Sequence, residues 1–340
     1  MKRDEKNFKL VKTGVLVVNL GTPDAPNRKS VRKYLKEFLS DPRVVEGPRL
    51  IWWLVLHLII LTFRPSKSAK AYKKIWTENG SPLLTISQDQ TKALRESLKE
   101  KYGENICVEL AMRYGSPSIK SGLEALKNHG VKKILVLPMY PQYSATTTAS
   151  IFDEVTDQVR EWRYLPEMRF INFYHDNEDY INALADSVRE WQAEHGVPDK
   201  LLLSFHGIPQ EYFEKGDPYY CYCRKTGRLL AEALSLKSNQ WQLSFQSRLG
   251  PRQWLQPYTD KTLEELGGSG LNFLQVICPG FSSDCLETLE EVAMENKEIF
   301  LESGGKNYEY IPCLNSRPSH IAMLSKLVST HINGWLNPNE

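Results

Sequence analysis

The sequence is short of the features that would place it at a glance. Charge is almost balanced, with 43 Lys+Arg against 41 Asp+Glu and a formal net charge of +2. No nucleic-acid partner is expected from such a balance. The six cysteines, at positions 107, 221, 223, 278, 285 and 313, show no disulfide-like spacing. The opening residues MKRDEKNFKLVKTG are charged and lack the apolar stretch of a secretion signal. A reducing cytoplasm is the expected compartment. No Gly-x-Gly-x-x-Gly follows a strand and no phosphate loop is present, so a nucleotide cofactor is not indicated. There is no Gly-x-Ser-x-Gly elbow and no convincing Ser/His/Asp order, which argues against a hydrolase. No Gly-, Ser- or Pro-rich run marks a linker, although 340 residues suit two moderate domains better than one.

Long hydrophobic runs are also missing, with one partial exception. Residues 51–63, IWWLVLHLIILTF, are apolar apart from His57 and Thr62. A membrane-spanning helix needs about 20 apolar residues, so this run is too short to cross. Two readings stay open. The run is a buried helix, or its paired Trp52 and Trp53, bracketed by Arg49 and Arg64, form an exposed lip. Such a lip dips into a membrane interface or meets an apolar ligand.

What the chain does contain is alternation. VLVVNL (15–20), CVELAM (107–112), KILVLPM (133–139), LLLSF (201–205), WQLSFQS (241–247) and FLQVICP (273–279) read as strands, with amphipathic helical stretches between most of them. Strands alternating with helices imply parallel sheets. Three units recur in order. VVNLGTP (17–23) resembles LSFHGIP (203–209), and ELAMRYGSP (109–117) resembles QLSFQSRLGP (242–251). LPMYPQYSATTTASIFDEV (137–155) resembles QVICPGFSSDCLETLEEV (275–292). The expected fold is α/β, with two similar doubly wound lobes of parallel, four-stranded type. The lobes would span residues 1–175 and 176–340, with a hinge near 175–198, a cleft between them and a last helix able to pack back on the first lobe.

The differences between the copies point to chemistry. Ligands of open α/β sheets sit outside the carboxyl ends of the strands. At the first such end one copy has Leu20 and the other His206. At the third, one has Ala149 and the other Glu287. A scaffold that manages without these groups in one lobe does not need them in the other. His206 is placed to serve as a ligand or base, with a hydrogen-bonded core histidine as the plainer alternative. Ser283 or Asp284 can cap the helix that carries Glu287, and Leu286, Leu289 and Ala293 would form its buried stripe. Glu287, Glu291, Glu295 and Glu298 fall on a second stripe. That stripe is either a solvated face or an acidic rail for a dication. Tyr140, Tyr143, Trp254, Tyr258 and Phe281 crowd the same loop ends, where a flat apolar ligand could lie. One His with a few carboxylates is an incomplete metal site, suited to passing a metal on. Cys221 and Cys223 have no second pair nearby, so no iron–sulfur cluster is expected.

These motifs together resemble a known family. NLGTP (19–23), MYPQYSATTT (139–148), LLLSFHGIP (201–209), FQSRLGPRQWLQPYT (245–259) and PGFSSDCLETLEE (279–291) are similar to ferrochelatase, in collinear order over roughly residues 12–332. The resemblance implies a lyase-type metal chelatase that inserts ferrous iron into protoporphyrin IX. Protohaem forms and two protons leave, in the last step of haem synthesis. It implies His206 and Glu287 at the porphyrin centre and metal, and Asp284 and Glu291 as a metal or proton relay. The implied porphyrin pocket is Leu20, Arg64, Tyr72, Ser81, Arg113, Tyr140, Trp254 and Phe281. Iron is a substrate in this reading, and no resident cofactor is expected. The run 51–63 corresponds to a mobile lip that also faces the membrane, which implies a cytoplasmic monomer in peripheral membrane contact. The chain departs from many relatives in having Cys285 where they have His. Its tail, HINGWLNPNE, has no cluster cysteines.

Overall fold

Val15, Leu16, Val17 and Val18 are wholly buried, as expected for a parallel strand covered by helices on both faces. The computed structural model describes residues 12–248 and 250–336. The charged opening residues 1–11 and the last four residues of the tail lie outside that range.

The first sheet contains β1 (Lys12–Thr22), β2 (Ile106–Gly115), β3 (Val131–Pro138) and β4 (Glu167–Phe170). The second contains β5 (Lys200–His206), β6 (Trp241–Gln246), β7 (Phe273–Ile277) and β8 (Asn307–Ile311). Their orders are β2-β1-β3-β4 and β6-β5-β7-β8, with every pairing parallel. The same order in both sheets establishes the duplicated α/β architecture. Strands β4 and β8 carry no continuous apolar run, which is why the sequence pattern does not pick them out. Each has one neighbour in its sheet, so half its backbone needs no partner strand.

The duplication has a different register from the one the sequence motifs imply. Met112 N–H donates to Pro117 O at 2.6 Å, and Phe245 N–H donates to Pro257 O at 2.8 Å. Pro117 therefore corresponds to Pro257, and not to Pro251. The intervening loop is four residues in the first lobe (113–116) and eleven in the second (246–256). Likewise Tyr174 N–H donates to Pro141 O, and Asn315 N–H to Ser282 O. This pairing sets Ser282, and not Pro279, opposite Pro141, and it moves the counterpart of Glu287 from Ala149 to Thr146. Neither residue is an acid, so the contrast between the copies survives the correction.

Glycine after the first strand of each lobe has a physical cause. Gly21 has φ +109°, and a Cβ there would lie 1.7 Å from Tyr114 O. At Gly207 a Cβ would lie 2.9 Å from Gln246 O and 3.3 Å from the Trp254 ring. In both lobes the neighbouring strand end is too close for a side chain.

The closing helices cross between lobes. Helix Glu178–His195 follows β4 yet packs on Tyr219–Ala233 and β8 of the second lobe. Helix Pro318–His331 follows β8 yet packs on Pro82–Tyr102 and β3 of the first. Ser97 Oγ–H donates to Ser325 Oγ at 2.9 Å along that contact. One apolar core runs through the crossing, from Val17 and Leu135 to Leu203 and Ile277. The connection expected to act as a hinge is therefore a packed helix, with Tyr180, Leu184 and Val188 buried.

Candidate active site

A continuous helical segment, Arg49–Ile75, packs through Leu56, Leu61 and Tyr72 against Leu20 and Tyr114 of the first sheet and against Leu286 and Leu289 beyond β7. Within the apolar run only Leu56 and Leu61 are fully buried, whereas Ile51, Trp53, Leu54, Leu58, Ile59 and Phe63, with Leu50 just before them, are exposed. Of the two readings of this run, the exposed lip is the one observed. The paired tryptophans divide: Trp52 Nε1–H donates to Leu39 O at 2.7 Å, while Trp53 faces out and stacks on His57. A π-helical turn, Val55–Ile60, interrupts the segment.

His206 ends β5 and pairs with Gln246 of β6. Its ring is half-buried, and Nδ1 lies 2.7 Å from Gly207 O. A carbonyl only accepts, so Nδ1 carries the hydrogen and Nε2 keeps a free lone pair. Burial pulls the imidazolium pKa down; Glu287 opposes this and Arg64 adds to it. The ring is neutral at ordinary pH.

Glu287 opens a second π-helix, Glu287–Glu295. The helix starts later than the sequence capping pattern implies. Its N-cap is Leu286, without a side-chain cap, and Ser283 instead donates to Gln90 Oε1 at 2.9 Å. The buried stripe also differs. Thr288, Val292, Asn296 and Phe300 are interior. Leu286 and Leu289 turn the other way, packing with Leu20 on the cluster of Tyr34, Leu56 and Tyr72 in the first lobe.

Around Glu287 the structure gathers His206, Arg64, Tyr72, Tyr140 and Glu291, each within electrostatic reach of its carboxylate. Tyr34 joins them; as one more member of an apolar helical stripe it gave no functional signal in the sequence. Burial, and then neighbouring charge, push the phenols of Tyr34, Tyr72 and Tyr140 well up, so all three are neutral. Burial disfavours the Arg64 charge and Glu287 supports it. Ser81 lies close by, accepting the Thr22 hydroxyl at 2.8 Å.

Glu291 is one turn further along. Ser247 N–H donates to its Oε1 at 2.8 Å, and the Ser247 hydroxyl donates to Oε2. Burial pushes this carboxyl up to about 7, with the Ser247 bonds pulling down and Glu287 pushing up. Glu290, which the stripe reading passed over, is buried and meets Lys74 of the lip segment at 2.6 Å.

Two other expected site residues are engaged internally. The Asp284 carboxylate accepts from Tyr310 at 2.6 Å, Asn315 at 2.7 Å and Thr288 at 3.0 Å. Arg113 pairs with Asp41 at 2.7 Å and donates to Ser150 Oγ at 2.7 Å. Phe281 packs on the second sheet's own core. Trp254 bridges to Pro209. Among the described residues no three His, Cys, Asp or Glu side chains converge as a ready metal site.

Fold and site together define a two-lobed chelatase-type α/β protein. Solved structures share this fold. SirB from Bacillus subtilis with Fe3+ has a TM-score of 0.54 at 12% identity, covering 96% of this chain and 99% of that one. CbiX, the terminal enzyme for biosynthesis of siroheme in denitrifying bacteria, has a TM-score of 0.51 at 11% identity, covering 93% and 98%. The ferrochelatase family model matches residues 12–332. The ferrochelatase of Idiomarina loihiensis is 55% identical over 95% of this chain and 89% of the relative. Ferrochelatase 2 of Shewanella oneidensis is 52% identical over 94% and 98%. The chain belongs to the ferrochelatase family, enzymes that insert ferrous iron into protoporphyrin in haem synthesis.

Proposed function

We propose that insertion takes place in the space bounded by His206, Glu287 and the lip segment. The observation that carries this reading is that His206, paired with Gln246 across β5 and β6, and Glu287, whose carbonyl accepts from Gln246 Nε2 at 2.9 Å, come together at one strand end. A free porphyrin holds two N–H protons, and both must leave as the dication enters. The free Nε2 of His206 can accept a pyrrole proton. Glu287 offers an anionic oxygen to the iron or to the second proton. The overall charge balances, because one Fe2+ replaces two H+. Tyr34, Tyr72, Tyr140 and Leu20 supply apolar walls for the macrocycle, and Arg64 supplies a cation for a propionate. Protoporphyrin IX is the substrate this pocket suits. Glu291 extends the acidic path away from the ring, while Asp284 and Arg113 brace the walls through Tyr310 and Asp41. No resident cofactor is needed, since iron is substrate and the thiols of Cys278, Cys285 and Cys313 are buried and neutral.

The exposed side of Arg49–Ile75 serves as a peripheral membrane contact for a monomer on the cytoplasmic face. Seven large apolar side chains crowd it, and the segment contains no acidic residue. An anaerobic assay of the purified chain with ferrous iron and protoporphyrin IX tests the site. Haem should form with turnover in the wild type and not in Glu287→Gln. Full activity of Glu287→Gln would remove Glu287 from the chemical step.

A further inference from the structure

Ser247 lies one residue beyond β6, and its backbone is unusual. Its φ is +65°, in the left-handed region that glycine favours and that a side chain makes costly. This conformation brings the N–H and the hydroxyl to bear on one carboxylate, with one donor on each oxygen of Glu291. The preceding residue reinforces the arrangement. Gln246 is buried, receives the Ser204 hydroxyl at 2.6 Å, and donates through Nε2 to the Glu287 carbonyl at 2.9 Å. In the first lobe the equivalent residues, Tyr114 and Ser150, both donate their hydroxyls to Asp41 Oδ2, at 2.8 and 2.6 Å, and Arg113 pairs with the same oxygen at 2.7 Å. The first lobe balances the carboxylate at this point with the Arg113 cation, whereas Glu291 in the second is held by the two neutral donors of Ser247. An unusual backbone held beside a functional helix is a sign of function.

We propose that Ser247 is a positioning residue for iron handling, fixing the Glu291 carboxylate so that its remaining lone pairs face the path to Glu287. The proposal rests on the reading of Glu291 as part of the iron path. Sequence alone gives little warning of it, because a serine just past a strand is common and the repeat has no serine in the first copy.

Ser247→Gly isolates the hydroxyl. It keeps the N–H donor and suits a positive φ, so it should fold at least as well as wild type. The expected result is a rise of about tenfold in the KM for ferrous iron, the weight of one hydrogen bond to a charged group. The KM for porphyrin and kcat should each move by less than about twofold, and Tm should be unchanged or higher. In a Glu291→Gln background the same substitution should add nothing, since the coupling is then gone. An unchanged iron KM in Ser247→Gly, beside a raised one in Glu291→Gln, would overturn the positioning role alone. If Glu291→Gln itself leaves the iron KM unchanged, the underlying reading of Glu291 fails. A Ser247→Gly effect that persists in the Glu291→Gln background would also overturn the proposal.

Discussion

Among single side chains, Glu291 and His206 divide the ionisation chemistry. Glu291 has a carboxyl pushed up to about 7 by burial, so it gains negative charge as pH rises through neutrality. A dication is better attracted to the ionised form. The kcat/KM for ferrous iron should therefore rise through about pH 7, while the KM for porphyrin stays flat. In Glu291→Gln that limb should vanish, as read from the pH profile at limiting iron. His206 is held neutral, and its loss removes the base. His206→Ala should lower turnover by at least about a hundredfold, within the scale of positioned proton transfer. Thermal melting should show Tm nearly unchanged, because the half-buried ring leaves only a small void.

Another buried histidine bears on stability. His320 donates Nδ1–H to Asn315 O at 2.7 Å, and burial pulls its pKa down to about 4. The unfolded chain takes up this proton near 6.5, before the folded one does. The resulting stability is fully present above about pH 6.5 and is lost as pH falls toward 4, with a ceiling of about 3 kcal/mol. Denaturant midpoints across that window should carry this upward contribution from His320, opposed by Glu291, whose raised carboxyl costs stability as pH climbs from 4.5 toward about 7. His320→Gln should remove the upward contribution even if it lowers the midpoint overall.

At the level of elements, the two π-helices mark where pattern reading stops. Residues at i and i+4 remain neighbours in both α- and π-helices, so the spacing of Glu287, Glu291 and Glu295 cannot distinguish them. Only the backbone hydrogen bonding shows the wider turn. The interior strands were legible because Val15–Val18 and Leu201–Leu203 are unbroken apolar runs. Strands β4 and β8 were not, since the short Glu167–Phe170 and Asn307–Ile311 mix polar and apolar residues, whereas β2 and β6 at the opposite edges were legible. His206 and Glu287 stood out by contrast with their sister positions. Ser247, Tyr34 and the Lys74–Glu290 pair did not, because their roles depend on which loop meets which helix. The longer loop 246–256 was misjudged for a related reason: Pro251 mimics the first-lobe proline at a shorter spacing.

The lip carries the prediction for this scale. Trp52 is anchored to Leu39 O, so the outward residues are the informative ones. Replacing Trp53, Leu58 and Phe63 together with Ser should weaken co-sedimentation with anionic vesicles by about tenfold or more, as removal of buried apolar area requires. Far-UV circular dichroism and Tm should hold, since all three are more than half exposed. Unchanged vesicle binding would mean that another face makes the contact.

Across the whole molecule the crossing helices bear on cooperativity. Two similar lobes would ordinarily be expected to unfold independently. Here Arg169, at the edge of the first sheet, meets the carbonyls of His331 and Asn333, and its guanidinium lies 4.1 Å from the Trp335 ring. Trp335 Nε1–H donates to Glu167 at 2.6 Å. Reciprocally, Gln275 of β7 donates to Gly196 O at 3.0 Å, at the end of the helix that follows the first lobe. A cut near residue 175 would strip the first lobe of Pro318–His331, while Glu178–His195 would stay with the second lobe that it covers. Each such helix buries several large apolar residues, including Leu184 and Val188 in one and Leu324 and Val328 in the other. At about 1.5–3 kcal/mol for each large side chain, exposing one of these faces costs as much as the 5–15 kcal/mol that holds a typical domain together. The intact chain should therefore unfold in one transition, with near-UV and far-UV circular dichroism midpoints coinciding. Residues 1–175 expressed alone should fail to give a cooperative melt. Adding residues 176–340 in trans should restore one, along with chelatase activity. Separate, reproducible melts of the two halves would show that the shared core contributes little, and that the lobes are independent domains after all.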